Sequence, residues 1–243
     1  MRHSKLIKPL PQHATLRDHP RVWLFDLDNT LHDASHAIFQ QIDQSMTRAV
    51  MRALSIDFDA ATKLRQKYWE RYGATMIGMQ RHHGVDATEF LHMSHDFDVA
   101  SYVKPEPHLA ALLTATPGIK YVFTNAPYSY ARTVLQTLNI EHCFAGICAI
   151  DQMMLQGNYY PKPSLKLMQQ MIHQLQCKPE QVTLVEDTLK NLKSAKQIGM
   201  RCAHIFHRGT PFSAKYDGRP SYVDVKVHSI QALLRHPFSR QPY

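Results

Sequence analysis

The stretch Val22 to Leu31 reads V-W-L-F-D-L-D-N-T-L. An apolar run stops abruptly at two carboxylates spaced two residues apart, followed by a hydroxyl. A run this short and this apolar fits a buried strand. Side chains alternate between the faces of a strand, so Asp26 and Asp28 are expected to leave it on the same side, with Leu27 turned away. Two acids at the end of a buried strand are costly unless protons or a cation offset them. A hard cation such as Mg²⁺, which prefers oxygen ligands, supplies that offset. The pattern points to metal-assisted attack on a phosphate.

Three later segments repeat this grammar. Tyr121-Val122-Phe123 runs into Thr124-Asn125, and Val182 to Val185 runs into Glu186-Asp187. Between them Lys162 sits between Pro161 and Pro163, which restrict its backbone. In open α/β sheets, ligands bind beyond the carboxyl ends of the strands. These residues are therefore expected to converge on one site.

Together they resemble the four motifs of the haloacid dehalogenase-like (HAD) hydrolase superfamily. Asp26, Asp28 and Thr30 match D-x-D-x-T, Thr124 the strand-terminal second motif, Lys162 the third, and Glu186-Asp187 the acidic fourth. The resemblance covers roughly residues 21 to 206. A narrower likeness, to the pyrimidine 5′-nucleotidase branch, rests on Y-G-A-T-M-I-G-M-Q-R-H-H-G-V-D, L-H-M-S-H-D, F-T-N-A, P-K-P and E-D-T-L-K-N-L. Dehalogenases of the superfamily lack the second acid of the first motif. Asp28 is present here, which favours phosphate chemistry.

The resemblance implies a role for each residue. Asp26 is the nucleophile, forming an aspartyl phosphate that splits one hard displacement into two. Asp28 is the general acid and base, protonating the leaving oxygen and then deprotonating water. Asp187, a carboxylate of Asp26 and the main-chain carbonyl of Asp28 hold Mg²⁺. Glu186 stands behind them, orienting water or Lys162. Thr124 donates to a phosphate oxygen, Asn125 adds a second donor, and Lys162 neutralises charge on the phosphate and on Asp26.

Along the chain, residues 1–20 read as a loose arm broken by Pro9, Pro11 and Pro20. Residues 33–104 read as mostly helical. Ile38, Ile42, Met46, Ala49, Val50 and Ala53 recur at helical spacing, and a second helix spans about Asp59 to Arg71. Gly73 and Gly78 suggest a turn-rich stretch, and Asp86 with Glu89 a helix start. This is the pattern of a helical cap inserted into an α/β core made of 21–32 and 105–234. Strands are expected at 119–124, 146–150, 181–186 and 201–206, with helices at 108–115, 127–138, 164–176 and 189–198. Alternation of this kind implies right-handed crossovers and a parallel sheet. An edge strand at Tyr222–Val227 and a closing helix at Ser229–Leu234 follow, and 235–243 is expected to be a tail. The fold class is thus α/β, a Rossmann-like HAD core with an inserted helical cap.

The net charge of +8 lies at the two ends of the chain, because residues 23–206 carry 17 basic and 17 acidic side chains. Solvated termini explain it without a nucleic-acid groove. Four cysteines without C-x-x-C spacing argue against a disulfide framework or a zinc cluster. No apolar run approaches the ~20 residues of a membrane span. A cytoplasmic enzyme is expected, without a membrane or nucleic-acid partner. Its substrate is expected to be a small phosphate ester, with a nucleotide monophosphate first, phosphoglycolate or a sugar phosphate next, and a phosphomutase substrate third. A binding or regulatory protein that kept the HAD shell is the alternative of another class. Substrate choice is expected to come from the cap, through Tyr72, Thr75 and His83. Tyr68, Trp69 and Tyr72 at helical spacing are read mainly as core.

Overall fold

The computed structural model describes residues 21–207 and 218–240. The expected arm at 1–20 lies outside them. Six parallel strands form one sheet in the order β3-β2-β1-β6-β7-β8. They are β1 (Val22–Phe25), β2 (Ile119–Phe123), β3 (Gly146–Cys148), β6 (Val182–Glu186), β7 (Arg201–Ile205) and β8 (Val225–Val227). The strand that leads into the two acids lies at the centre, flanked by β2 and β6.

Alternation along β1 builds both cores. Trp23 and Phe25 pack on one face against helices α5 (Leu109–Ala115), α6 (Tyr128–Thr137) and α9 (Ile230–Arg235). Val22 and Leu24 pack on the other, against α7 (Leu165–Leu175) and α8 (Leu189–Gln197). The result is a Rossmann-like three-layer α/β fold. Burial on both faces is why these strands read as continuous apolar runs.

Between β1 and β2 the chain makes four helices, α1 (Ile38–Leu54), α2 (Phe58–Tyr72), α3 (Thr75–His83) and α4 (Ala87–Ser94). They share their own cluster, which includes Val50, Tyr68, Met76, Met79 and Phe90. Asp57 and Asp86 cap α2 and α4 by accepting from the amides of Ala60 and Glu89, both at 2.8 Å.

Several expectations need correction. The stretch around Gly78 is helix, not turn. Gly73 does end α2 with φ 77°, but Gly78 lies inside α3, where a Cβ would overlap the ring of Tyr68. The glycine is there for close packing. Of the expected strand at 146–150, only Gly146–Cys148 pairs. A small antiparallel hairpin follows, β4 (Met154–Leu155) and β5 (Asn158–Tyr159), turning through Gly157 at φ 78°. The chain from 235 does not simply leave the body. Phe238 is buried, and its carbonyl accepts from the Arg21 guanidinium at 2.7 Å. That guanidinium also lies 4.0 Å from the Trp23 ring. Residues 241–243 of the expected tail fall outside the described residues. Among the described residues no helix is long and apolar enough to cross a membrane.

Candidate active site

The sheet pairing of β1 ends just where the acids begin. The Asp26 amide donates to the Val185 carbonyl at 2.9 Å, and the chain then turns, with Leu31 N–H donating to Leu27 O at 2.9 Å. Asn29 sits at φ 57°, a conformation that asparagine tolerates, and its side chain is held at both ends by Ser35. The strand alternation invoked for the two acids therefore does not carry through to Asp28. A turn, not a strand, sets its direction.

Asp26 faces Lys162. The Lys162 ammonium donates to Asp26 Oδ1 at 2.7 Å and to Glu186 Oε2 at 2.6 Å. All three residues are buried. Burial alone would lower the lysine, but Asp26 and Glu186 outweigh it and hold the ammonium above its ordinary value. Burial, then Glu186, pushes Asp26 well above the usual carboxylate range, against the pull of Lys162. Burial, then Asp26, raises Asp187 to about 6. Three acids have been drawn together with one ammonium between them, and the group is short of positive charge.

That shortage is the test of metal fit, and the residues pass it. Oxygens of Asp26, Glu186 and Asp187 all lie within 4.8 Å of one another. An all-oxygen set suits Mg²⁺. Glu186 is the least available of the three. Its Oε2 already accepts from Lys162 and from Asn191 at 3.0 Å, and its Oε1 from the Thr188 amide at 3.2 Å. Asp26 and Asp187 are the freer ligands. The main-chain carbonyl of Asp187 accepts from His204 Nε2 at 3.1 Å, and burial pushes His204 down to about 4. The imidazole is neutral and acts as a donor there, a contact absent from the sequence reading.

Asp28 has a separate setting. Tyr130, on α6, donates its hydroxyl to Asp28 Oδ1 at 2.6 Å, and His32 Nε2 reaches the same oxygen at 3.0 Å. The ring of His95 lies edge-on to Tyr130 at 5.4 Å, and burial pushes this imidazole down to about 4. Burial and then Asp28 raise the Tyr130 phenol well above its ordinary value, so it stays a neutral donor. Sequence reasoning missed both His32 and Tyr130. A tyrosine spaced among apolar helix residues reads as core, and its partner lies 102 residues away.

The remaining residues divide. Thr124 is buried, and its hydroxyl oxygen accepts from the Ala126 amide at 3.0 Å, which leaves its proton to donate. Thr30 approaches Asp26 Oδ2 at 3.5 Å. Asn125 was expected to add a donor to phosphate. Its amide clamps the backbone of Lys162, donating to the carbonyl at 3.0 Å and accepting from the N–H at 2.9 Å. In the insert, Tyr72 Oη meets His82 Nε2 at 2.6 Å, and Tyr68 Oη meets His83 Nε2 at 2.7 Å. Thr75 is buried, and its hydroxyl donates to the Arg65 carbonyl at 3.1 Å. It braces α2 against α3.

Over residues 23–205 the chain matches the haloacid dehalogenase-like hydrolase family. It belongs to that family. Among curated proteins it is 26% identical over 201 residues to phosphate metabolism protein 8 of Saccharomyces cerevisiae, covering 77% of this chain and 61% of that protein. It thus spans about 61% of the length of this relative. Among solved structures it resembles an HAD phosphatase from Thermococcus onnurineus, with TM-score 0.57 and 20% identity over 88% of this chain and 95% of that one. CbbY from Rhodobacter sphaeroides in complex with phosphate gives TM-score 0.61 and 19% identity over 88% and 96%. L-2-haloacid dehalogenase from Xanthobacter autotrophicus gives 0.53 and 17% over 88% and 97%. A hydrolase of this fold can therefore be a phosphatase or a dehalogenase, and the choice falls to the site.

Proposed function

We propose that this HAD hydrolase is a Mg²⁺-dependent phosphomonoester hydrolase, with pyrimidine 5′-nucleotides as its first substrate class. The observation that carries this reading is the pair of differently held acids. Asp26 is pinned by Lys162, whereas Asp28, two residues on, is held by Tyr130 and His32. A nucleophile alone suffices to displace a halide. A second acid with its own support suits an ester whose leaving oxygen must gain a proton.

Asp26 attacks phosphorus through its carboxylate and becomes the aspartyl phosphate. The Lys162 ammonium and the Thr124 hydroxyl stabilise the transferring oxygens. Asp28, oriented through Oδ1, protonates the leaving oxygen through its other oxygen as the bond from that leaving oxygen to phosphorus breaks. It then takes a proton from the water that attacks the aspartyl phosphate, which releases phosphate and restores the Asp26 carboxylate. The carboxylates of Asp26 and Asp187 with the carbonyl of Asp28 would hold Mg²⁺, which when bound supplies the positive charge the acid cluster lacks. Glu186 keeps Lys162 in place. The helical insert acts as a cap over the carboxyl edge of the sheet and selects the leaving group.

A phosphate-release screen with Mg²⁺ tests this across UMP, CMP, phosphoglycolate, sugar phosphates and p-nitrophenyl phosphate. The expected result is turnover that EDTA abolishes, highest with UMP or CMP. Release no greater than from the Asp26→Asn protein would overturn the phosphatase reading. Efficient cleavage of phosphoglycolate with neglect of nucleotides would overturn only the nucleotide preference.

A further inference from the structure

We propose that the groove between the insert and the core is a subsite for a second anionic group, phosphate or carboxylate, carried on the leaving group of the substrate. This rests on the phosphatase reading and not on its nucleotide preference, because the nucleoside that leaves UMP or CMP carries no second anion. The groove has a volume of ≈ 340 Å³. Arg71 at the end of α2, Arg81 on α3 and Lys190 on α8 all line it. Among the described residues, no ion pair with a carboxylate involves any of the three. The guanidinium groups of Arg71 and Arg81 lie 5.4 and 5.3 Å from the centre of the Tyr72 ring. Tyr159 and Tyr160 add aromatic surface from the core side.

Three cations facing one concavity repel one another, and low-dielectric walls focus their field. An anion relieves that repulsion. Guanidinium groups match phosphate or carboxylate with paired hydrogen bonds, and the flanking rings suit a flat group beside the charge. The position suits a leaving group. Pro161 and Pro163, which flank Lys162 in sequence, line the same groove. A Cβ on Gly73 would lie 3.0 Å from the Lys162 carbonyl, so the end of α2 abuts this peptide while the Lys162 ammonium holds Asp26. The acidic edge of the sheet repels a second anion. The seam attracts one, and an occupant there bridges insert and core.

The test uses the full chain carrying Asp26→Asn, which is expected to bind without turnover. It is titrated calorimetrically with uridine 3′,5′-bisphosphate, UMP, phenyl phosphate and sodium sulfate in the presence of Mg²⁺. The bisphosphate is expected to bind about tenfold or more tightly than UMP, as paired charge-assisted contacts would give. Adding Arg71→Gln, Arg81→Gln and Lys190→Gln together is expected to erase that difference, with circular dichroism confirming the fold. Equal affinities for bisphosphate and UMP, or a preference that survives the triple substitution, would overturn the proposal. So would sulfate binding as tightly as the bisphosphate, because the groove would then serve a free anion. Failure of the phosphatase reading has its own signature: the wild type releases no phosphate from any of the three esters, whatever their affinities.

Discussion

At the carboxyl edge of the sheet, Asp26, Lys162 and Glu186 are buried and joined at 2.6 and 2.7 Å. At the seam, Arg71 and Arg81 of the insert and Lys190 of the core are exposed, and no carboxylate among the described residues pairs with them. The first region is over-determined. Each group is held by partners from other strands and loops, and removing one strands the rest in a low-dielectric setting. The second is held by the apolar cluster beneath it, while its polar groups stay solvated. Changes at the edge of the sheet should therefore abolish chemistry, and changes in the insert should retune selection.

The sharpest way to break that contrast is at the buried trio. Asp26→Asn should lower turnover by roughly 10⁴-fold or more while leaving the fold intact. The check is phosphate release from freshly purified protein, with deamidation excluded by mass spectrometry. Lys162→Ala should also destabilise the protein, by about 3–5 kcal/mol, because Asp26 and Glu186 stay buried without their cation. A urea midpoint equal to that of the wild type would show that the trio is not coupled.

The metal side comes next. Asp187→Ala should raise the Mg²⁺ needed for half-maximal activity at least about tenfold. An unchanged activation curve would remove Asp187 from the ligand set.

Tyr130→Phe probes the second acid. It deletes the 2.6 Å hydrogen bond to Asp28. Turnover of UMP, whose leaving alkoxide needs a proton, should fall roughly 10²-fold. p-Nitrophenyl phosphate has a good leaving group and should lose much less. Equal losses on both esters would mean that Tyr130 supports the site generally and does not orient the acid.

Smaller effects are expected in the insert. Gly78→Ala drives a methyl into the Tyr68 ring and should cost about 1–3 kcal/mol, read as a lower melting temperature. Thr75→Ala should cost about 1 kcal/mol through the lost bond to Arg65. Tyr72→Ala and His83→Ala should reorder UMP, CMP and non-nucleotide esters more than they change p-nitrophenyl phosphate hydrolysis. A uniform drop across all substrates would make the insert structural only, and the contrast between the two regions would lose its meaning.

Much of the sheet edge was legible from local sequence. A short apolar run buried on both faces announces a parallel strand, and polar residues just beyond it announce the ligand-binding edge. This is how β1, β2, β6 and β7, with Asp26, Thr124, Glu186 and Asp187, could be located without coordinates. Lys162 stood out because the prolines on either side restrict its backbone. Three of the four insert helices were visible, the first in its helical spacing and the last in its capping pair Asp86 and Glu89, whereas the helix around Gly78 was hidden by a glycine that packing, not turning, requires.

The sequence by itself determined which chemistry-bearing groups lie at strand ends, because burial and periodicity are local properties of the chain. Only the tertiary structure decided what each group touches. It joined the Asn125 side chain to the Lys162 backbone, set Tyr130 and His32 on a single oxygen of Asp28, and put His204 behind Asp187. It also brought Arg71 and Arg81 of the insert to the same groove as Lys190 of the core. Tyr130 and Asp28 lie 102 residues apart in the chain, and Asn125 and Lys162 lie 37 apart. Contacts of that span exist only once the strands have paired and the crossovers have closed. Hydrogen bonds and ion pairs act over a few ångströms in space, and separation along the chain does not encode that distance.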